Sequence, residues 1–129
     1  GVHWRMAAGW ENIMPGFSHG TAGIAYALAA AGRALHRRDL IDVAIRGAEA
    51  VLAAGNHPGG WGVPLAIPPR PRGPAVNYGW CHGPAGTVRL FVLLNEIDAQ
   101  PRWQHRRSRA APARPLPGHR RPRPAGVGQ

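Results

Sequence analysis

Gly16-Phe17-Ser18-His19-Gly20-Thr21-Ala22-Gly23 and Gly79-Trp80-Cys81-His82-Gly83-Pro84-Ala85-Gly86 are two copies of one motif. The offset is 63 residues at every position. Five of the eight positions are identical, and one aromatic, Phe17, is exchanged for another, Trp80. Repetition at a fixed spacing marks one supersecondary unit used more than once. Each copy opens a helix-favouring run, Ile24 to Leu35 after the first and Thr87 to Ile97 after the second. The first run is rich in Ala and Leu, and its small side chains let a neighbouring helix approach closely.

Between the copies the pattern predicts a second helix. Ile41, Ile45, Ala48 and Leu52 form one apolar face at helical spacing. Asp39 is the expected N-cap, with Asp42 as a second acid in the first turn. Gly55 is expected to close the helix in the left-handed conformation. Residues 16–55 therefore read as a helical hairpin. Six prolines between positions 58 and 74 forbid a long helix over 56–78. The repeat length suits one hairpin plus that loop. The expected fold is all-α, an incomplete α/α toroid in which hairpins stand around a central cavity and this chain holds about two units.

The net charge of +10 is unevenly placed. Residues 1–98 carry eight arginines and six acids, whereas residues 99–129 carry eight arginines and no acid. The expected organisation is a domain over 1–98 and an Arg/Pro-rich tail over 99–129. Its composition predicts disorder. It fits a natural low-complexity segment, and equally the out-of-frame translation of a GC-rich gene. The body shows no basic stripe with interleaved aromatics, so nucleic acid is not an expected partner. One cysteine excludes an internal disulfide. No apolar run is long enough to span a bilayer, and a cytoplasmic location is the expectation.

Two kinds of chemistry suit the motif. Glycines allow a tight turn just before a helix. A cysteine there faces the positive end of the helix dipole, which favours a nucleophile or a metal ligand. A histidine there suits a general base or a metal ligand. The repeat is expected to put His19 and Cys81 at equivalent chemical positions, although residue by residue Ser18 matches Cys81 and His19 matches His82. The alternatives are plain: a buried structural thiol for Cys81, a backbone-bonded loop histidine for His19, and packing roles for His82, Phe17 and Trp80. His3, His36, His57, His105 and His119 belong to no constellation and are expected at the surface; Arg70 and Arg72 are expected on a solvated loop, with contact to an acidic or peptide substrate as the alternative.

His-Gly-x-Ala-Gly-Ile at 19–24 and Trp-Cys-His-Gly-x-Ala-Gly at 80–86 resemble the first two signature motifs of the lanthionine synthetase C-like family. The resemblance covers about residues 10–98. It implies an α/α toroid with zinc at its centre. It also implies a reaction that joins a cysteine thiol of a precursor peptide to a dehydrated Ser or Thr, with a dehydratase as a further partner. By motif, Cys81 is a zinc ligand and His19 is the acid/base group. His82 sits at a variable position and is a candidate ligand only by proximity. The family's Cys-His-Gly motif, which supplies the other two ligands, has no counterpart in a chain with one cysteine. The chain therefore reads as a truncated cyclase, inactive as it stands. The other readings are a non-catalytic interaction module of the same fold and a toroid related to six-hairpin glycosidases. The last needs paired carboxylates, and the six acids of the body cluster mainly on one helix or at its ends.

Overall fold

The computed structural model describes residues 1–57, 60–72 and 76–104. Helices α1 (Thr21–Ala34), α2 (Arg38–Ala54) and α3 (Pro84–Ile97) carry the architecture, and a single turn, α4 (Pro101–Gln104), follows. Among the described residues, four two-residue strands lie between α2 and α3. β1 (Asn56–His57) pairs with β2 (Gly60–Trp61), and β3 (Val63–Pro64) pairs with β4 (Val76–Asn77), both antiparallel. The fold is all-α. No described helix is long and apolar enough to cross a membrane.

The core lies where α1 and α2 close as a hairpin and α3 packs on α1. Ala22, Ala25 and Ala29 form the buried side of α1, so small side chains do let α2 come close. Ile41, Ile45 and Ala48 of α2 are buried as expected, with Leu52 partly buried beside them. The larger apolar volume comes from α3 through Leu90, Phe91, Leu93 and Leu94.

Three local expectations are corrected. The N-cap of α2 is Arg37, and Asp39 lies inside the first turn, where its carboxylate is held by the Arg37 guanidinium at 2.6 and 2.8 Å. Asp42 falls one turn along α2 and pairs with Arg38 at 2.9 Å. Gly55 is right-handed (φ −82°), not left-handed. A side chain there would meet the Gly62 carbonyl at 2.6 Å, so lack of space explains the glycine. Among the described non-glycine residues the left-handed one is His36 (φ 53°), in the short link between α1 and α2.

The core also reaches past residue 98. Trp103 is fully buried and stacks on Phe91 at 6.1 Å between ring centroids. Arg102 lies over the Trp103 ring at 4.5 Å and pairs with Glu49 of α2 at 2.7 Å. One large aromatic, seated beside an anchored arginine, ties the chain after α3 back to the hairpin. The expectations for residues 105–129, including the tail's disorder, lie outside the described residues.

Steric exclusion sets the helix starts. Gly20 is the N-cap of α1 and Gly83 that of α3, both in extended backbone without a side-chain cap. A methyl group on Gly20 would overlap the Met14 carbonyl, and one on Gly83 would overlap the Asn77 carbonyl. One on Gly23 would overlap the Phe17 carbonyl, and one on Gly86 the Trp80 carbonyl. In every case the blocking oxygen lies six residues upstream, so the sequence repeat is also a repeat of geometry. Gly79 is different, since its neighbour is only the Asn77 Oδ1 at 3.1 Å. We expect Gly83→Ala to cost about 3 kcal/mol of stability and Gly79→Ala under about 1 kcal/mol. Equal unfolding midpoints in denaturant for the two variants would contradict this packing.

Candidate functional site

The two motif loops lie against each other. A side chain on Gly16 would meet the His82 Cα at 2.7 Å, so the strands of backbone touch there. The Ser18 N–H donates to the Cys81 carbonyl at 2.8 Å. Phe17 and Trp80 meet edge to face at 5.5 Å, and the His19 and His82 rings lie 5.5 Å apart. Further along, the Arg89 guanidinium of α3 lies 5.9 Å from the Tyr26 ring of α1, and Arg33 pairs with Glu96 at 2.9 Å. Apart from the Gly16 contact, each of these pairs is separated by 63 residues. A constant offset from the loops to the last turns means that α1 and α3 run in the same direction, side by side and in register.

This register corrects the expected equivalence of His19 and Cys81. The ring partner of His19 is His82, and the backbone partner of Cys81 is Ser18. Cys81 is exposed, which removes the buried-thiol alternative. His19 is exposed as well. The first N–H groups of α1 do not point at His19: Thr21 donates to the Met14 carbonyl at 2.9 Å and Ala22 to the Pro15 carbonyl at 3.2 Å. α3 begins with Pro84, which has no N–H to offer.

His82 is the most constrained of the three. Its Nδ1 is buried without a hydrogen-bond partner. Burial, and then the positive charges of His19 and Arg70, hold its pKa below the ordinary 6.5. A neutral imidazole suits this setting because the charged ring needs acceptors for two N–H groups. His3 also departs from expectation. It is partly buried, and its Nδ1 shares a hydrogen bond of 3.2 Å with the Thr21 hydroxyl.

A groove of about 700 Å³ opens beside the first motif loop. Trp4, Met6, Phe17, Ile24, Tyr26 and Trp80 give it apolar walls, and His19, Arg5 and Arg89 supply its charge-bearing groups. Neither Cys81 nor His82 lines it. Trp80 is 52% exposed, so besides packing edge to face on Phe17 it forms a groove wall. Sequence reading missed Trp4, Tyr26 and Arg89. The signal was available for two of them, since Tyr26 and Arg89 stand at the repeat offset, on the helices that follow the motifs.

Among the described residues, no group of three or more His, Cys, Asp or Glu is placed to hold a metal ion. A catalytic zinc takes three protein ligands and keeps one position open. Cys81, His19 and His82 do not amount to such a set. The carboxylates offer none either: Asp39, Asp42, Glu49 and Glu96 are held by arginines.

Fold and site together define an all-α protein in which glycine-pinned loops, repeated in register, present histidine and cysteine at the heads of neighbouring helices. The chain belongs to the lanthionine synthetase C-like protein family, which matches residues 4–101. That family is a helical toroid and generally binds zinc. No curated protein and no solved structure matches the chain.

The electrostatics of His82 can be checked directly by following its ring protons by NMR against pH. The midpoint is expected below 6.5. It should rise in His19→Asn, which removes one nearby positive charge. A wild-type midpoint at or above 6.5 would contradict the buried, charge-flanked setting.

Proposed function

We propose that this chain is part of a lanthionine synthetase C-like cyclase unit. The complete unit would add a cysteine thiol of a precursor peptide to a dehydroalanine or dehydrobutyrine. The observation that carries the reading is the docking of the two motif loops, with His19 and His82 brought within 5.5 Å and Cys81 exposed beside them. In that addition a sulfur–carbon bond forms at the β-carbon of the alkene, and a proton is delivered to the α-carbon. His19 is the proposed source of that proton, since it is exposed and lines the groove. Cys81 is the proposed zinc ligand of this chain, and His82 a secondary candidate. Because dehydrated Ser or Thr is consumed, a dehydratase must act earlier on the same peptide. A cytoplasmic setting belongs to the same proposal.

The residues present do not fit the metal, so we propose no zinc-dependent step for this chain by itself. It is inactive in ring formation on this reading. A second reading, a non-catalytic interaction module of the same fold, is favoured by one observation: the groove is lined by neither Cys81 nor His82. Elemental analysis of the purified full chain, prepared with zinc present, tests the metal reading. We expect well under a full equivalent of zinc per chain and no thioether formation on a dehydrated peptide. Stoichiometric zinc lost in Cys81→Ser would overturn it.

A further inference from the structure

We propose that the groove beside the first motif loop is a docking site for an acidic peptide segment, with carboxylates paired to Arg89 and Arg5 and apolar side chains laid against Trp80 and Tyr26. This goes beyond the metal chemistry.

The charge pattern of the groove is one-sided. Its wall contains two arginines and a histidine and no Asp or Glu. Arg89 has no carboxylate partner among the described residues, whereas Arg33, Arg37, Arg38 and Arg102 each have one. It is nevertheless held in place. Its guanidinium lies 6.0 Å from the Phe17 ring centroid and 5.9 Å from that of Tyr26. Contact with aromatic rings restrains the arginine and leaves its planar fork of donors free to take a carboxylate. Less side-chain entropy is then lost on binding. Trp80 stands beside it half-exposed, and arginine with tryptophan and tyrosine is the composition of a binding hot spot. A volume of about 700 Å³ holds a few side chains rather than a whole domain face.

The charge pattern also selects the occupant. The chain's own residues 105–129 carry seven arginines and no acid, so like charges oppose their entry. A second copy is a poor match, because four of the six acids already sit in arginine pairs. A separate peptide bearing Glu or Asp next to an aromatic or aliphatic residue satisfies both the arginines and the apolar walls.

The test uses the full chain and two fluorescein-labelled pentapeptides, Phe-Glu-Ala-Glu-Phe and its neutral counterpart Phe-Gln-Ala-Gln-Phe, with fluorescence anisotropy as readout. The acidic peptide should bind about tenfold more tightly than the neutral one. Arg89→Ala should remove most of that preference, Arg5 keeping the rest, and Arg89→Lys should restore part of it. Raising salt from about 50 mM to about 500 mM should weaken the acidic peptide alone. Arg89 is exposed, and the thermal melt of each variant checks that the fold is kept. Arg38→Ala, at a surface pair on α2, should leave binding unchanged. Equal affinity for the two peptides, or equal losses in Arg89→Ala and Arg38→Ala, would overturn the proposal. The second of those outcomes would mean that the peptide responds only to the chain's overall positive charge. Zinc content does not enter this readout, so failure here is distinct from failure of the cyclase reading.

Discussion

Gly16 lies so close to the Cys81–His82 backbone that no side chain fits between them. The rest of the structure depends on that contact. It brings the two motif loops together, and two residues on, the Ser18-to-Cys81 hydrogen bond fixes the 63-residue register. Because each loop is also pinned to the start of its helix by glycine, the register passes into α1 and α3. Tyr26 then meets Arg89, and Arg33 meets Glu96, at the same offset. The salt bridge is exposed and contributes little by itself. It reports the alignment; steric exclusion at the loops creates it.

In-register docking has a chemical consequence. Equivalent residues become neighbours, so imidazole is placed beside imidazole and the backbone of the one cysteine is bonded to that of a serine. That brings two rings together without assembling a metal site from the described residues. It also presents Phe17 and Trp80 on one side, where the first motif loop, Tyr26 and Arg89 complete a groove. Two features thus coexist within a short distance, a His/Cys cluster at the helix heads and an arginine-bearing aromatic groove beside it. They share His19, and only the first bears on zinc.

Much of the fold was legible in the sequence. The repeat gave the two helix heads, and the 3.6-residue pattern gave α2, because both signals are local and strong. The helix ends were less legible. Asp39 has the chemistry of an N-cap, but a paired Arg37 caps the helix two residues earlier. Gly55 has the composition of a left-handed cap, yet its role is to leave room for Gly62 and the residues beside it. The site was legible in its residues and not in its pairing. Residue-by-residue offset puts Ser18 with Cys81 and His19 with His82, and the structure pairs them so, whereas the looser equivalence of His19 and Cys81 does not hold. The groove was hidden because Trp4 arrives from an irregular N-terminal stretch with no period to read. Trp103 was hidden for another reason: a composition that averages over arginines and prolines conceals one aromatic that is fully buried.

The most direct test of in-register docking is a nuclear Overhauser spectrum of the full chain with assigned aromatic protons. Docking at the 63-residue offset predicts ring-proton contacts between Phe17 and Trp80 and between His19 and His82, observed together. Contacts shifted by a helical turn, or a Phe17 ring that meets no proton of Trp80, would contradict it.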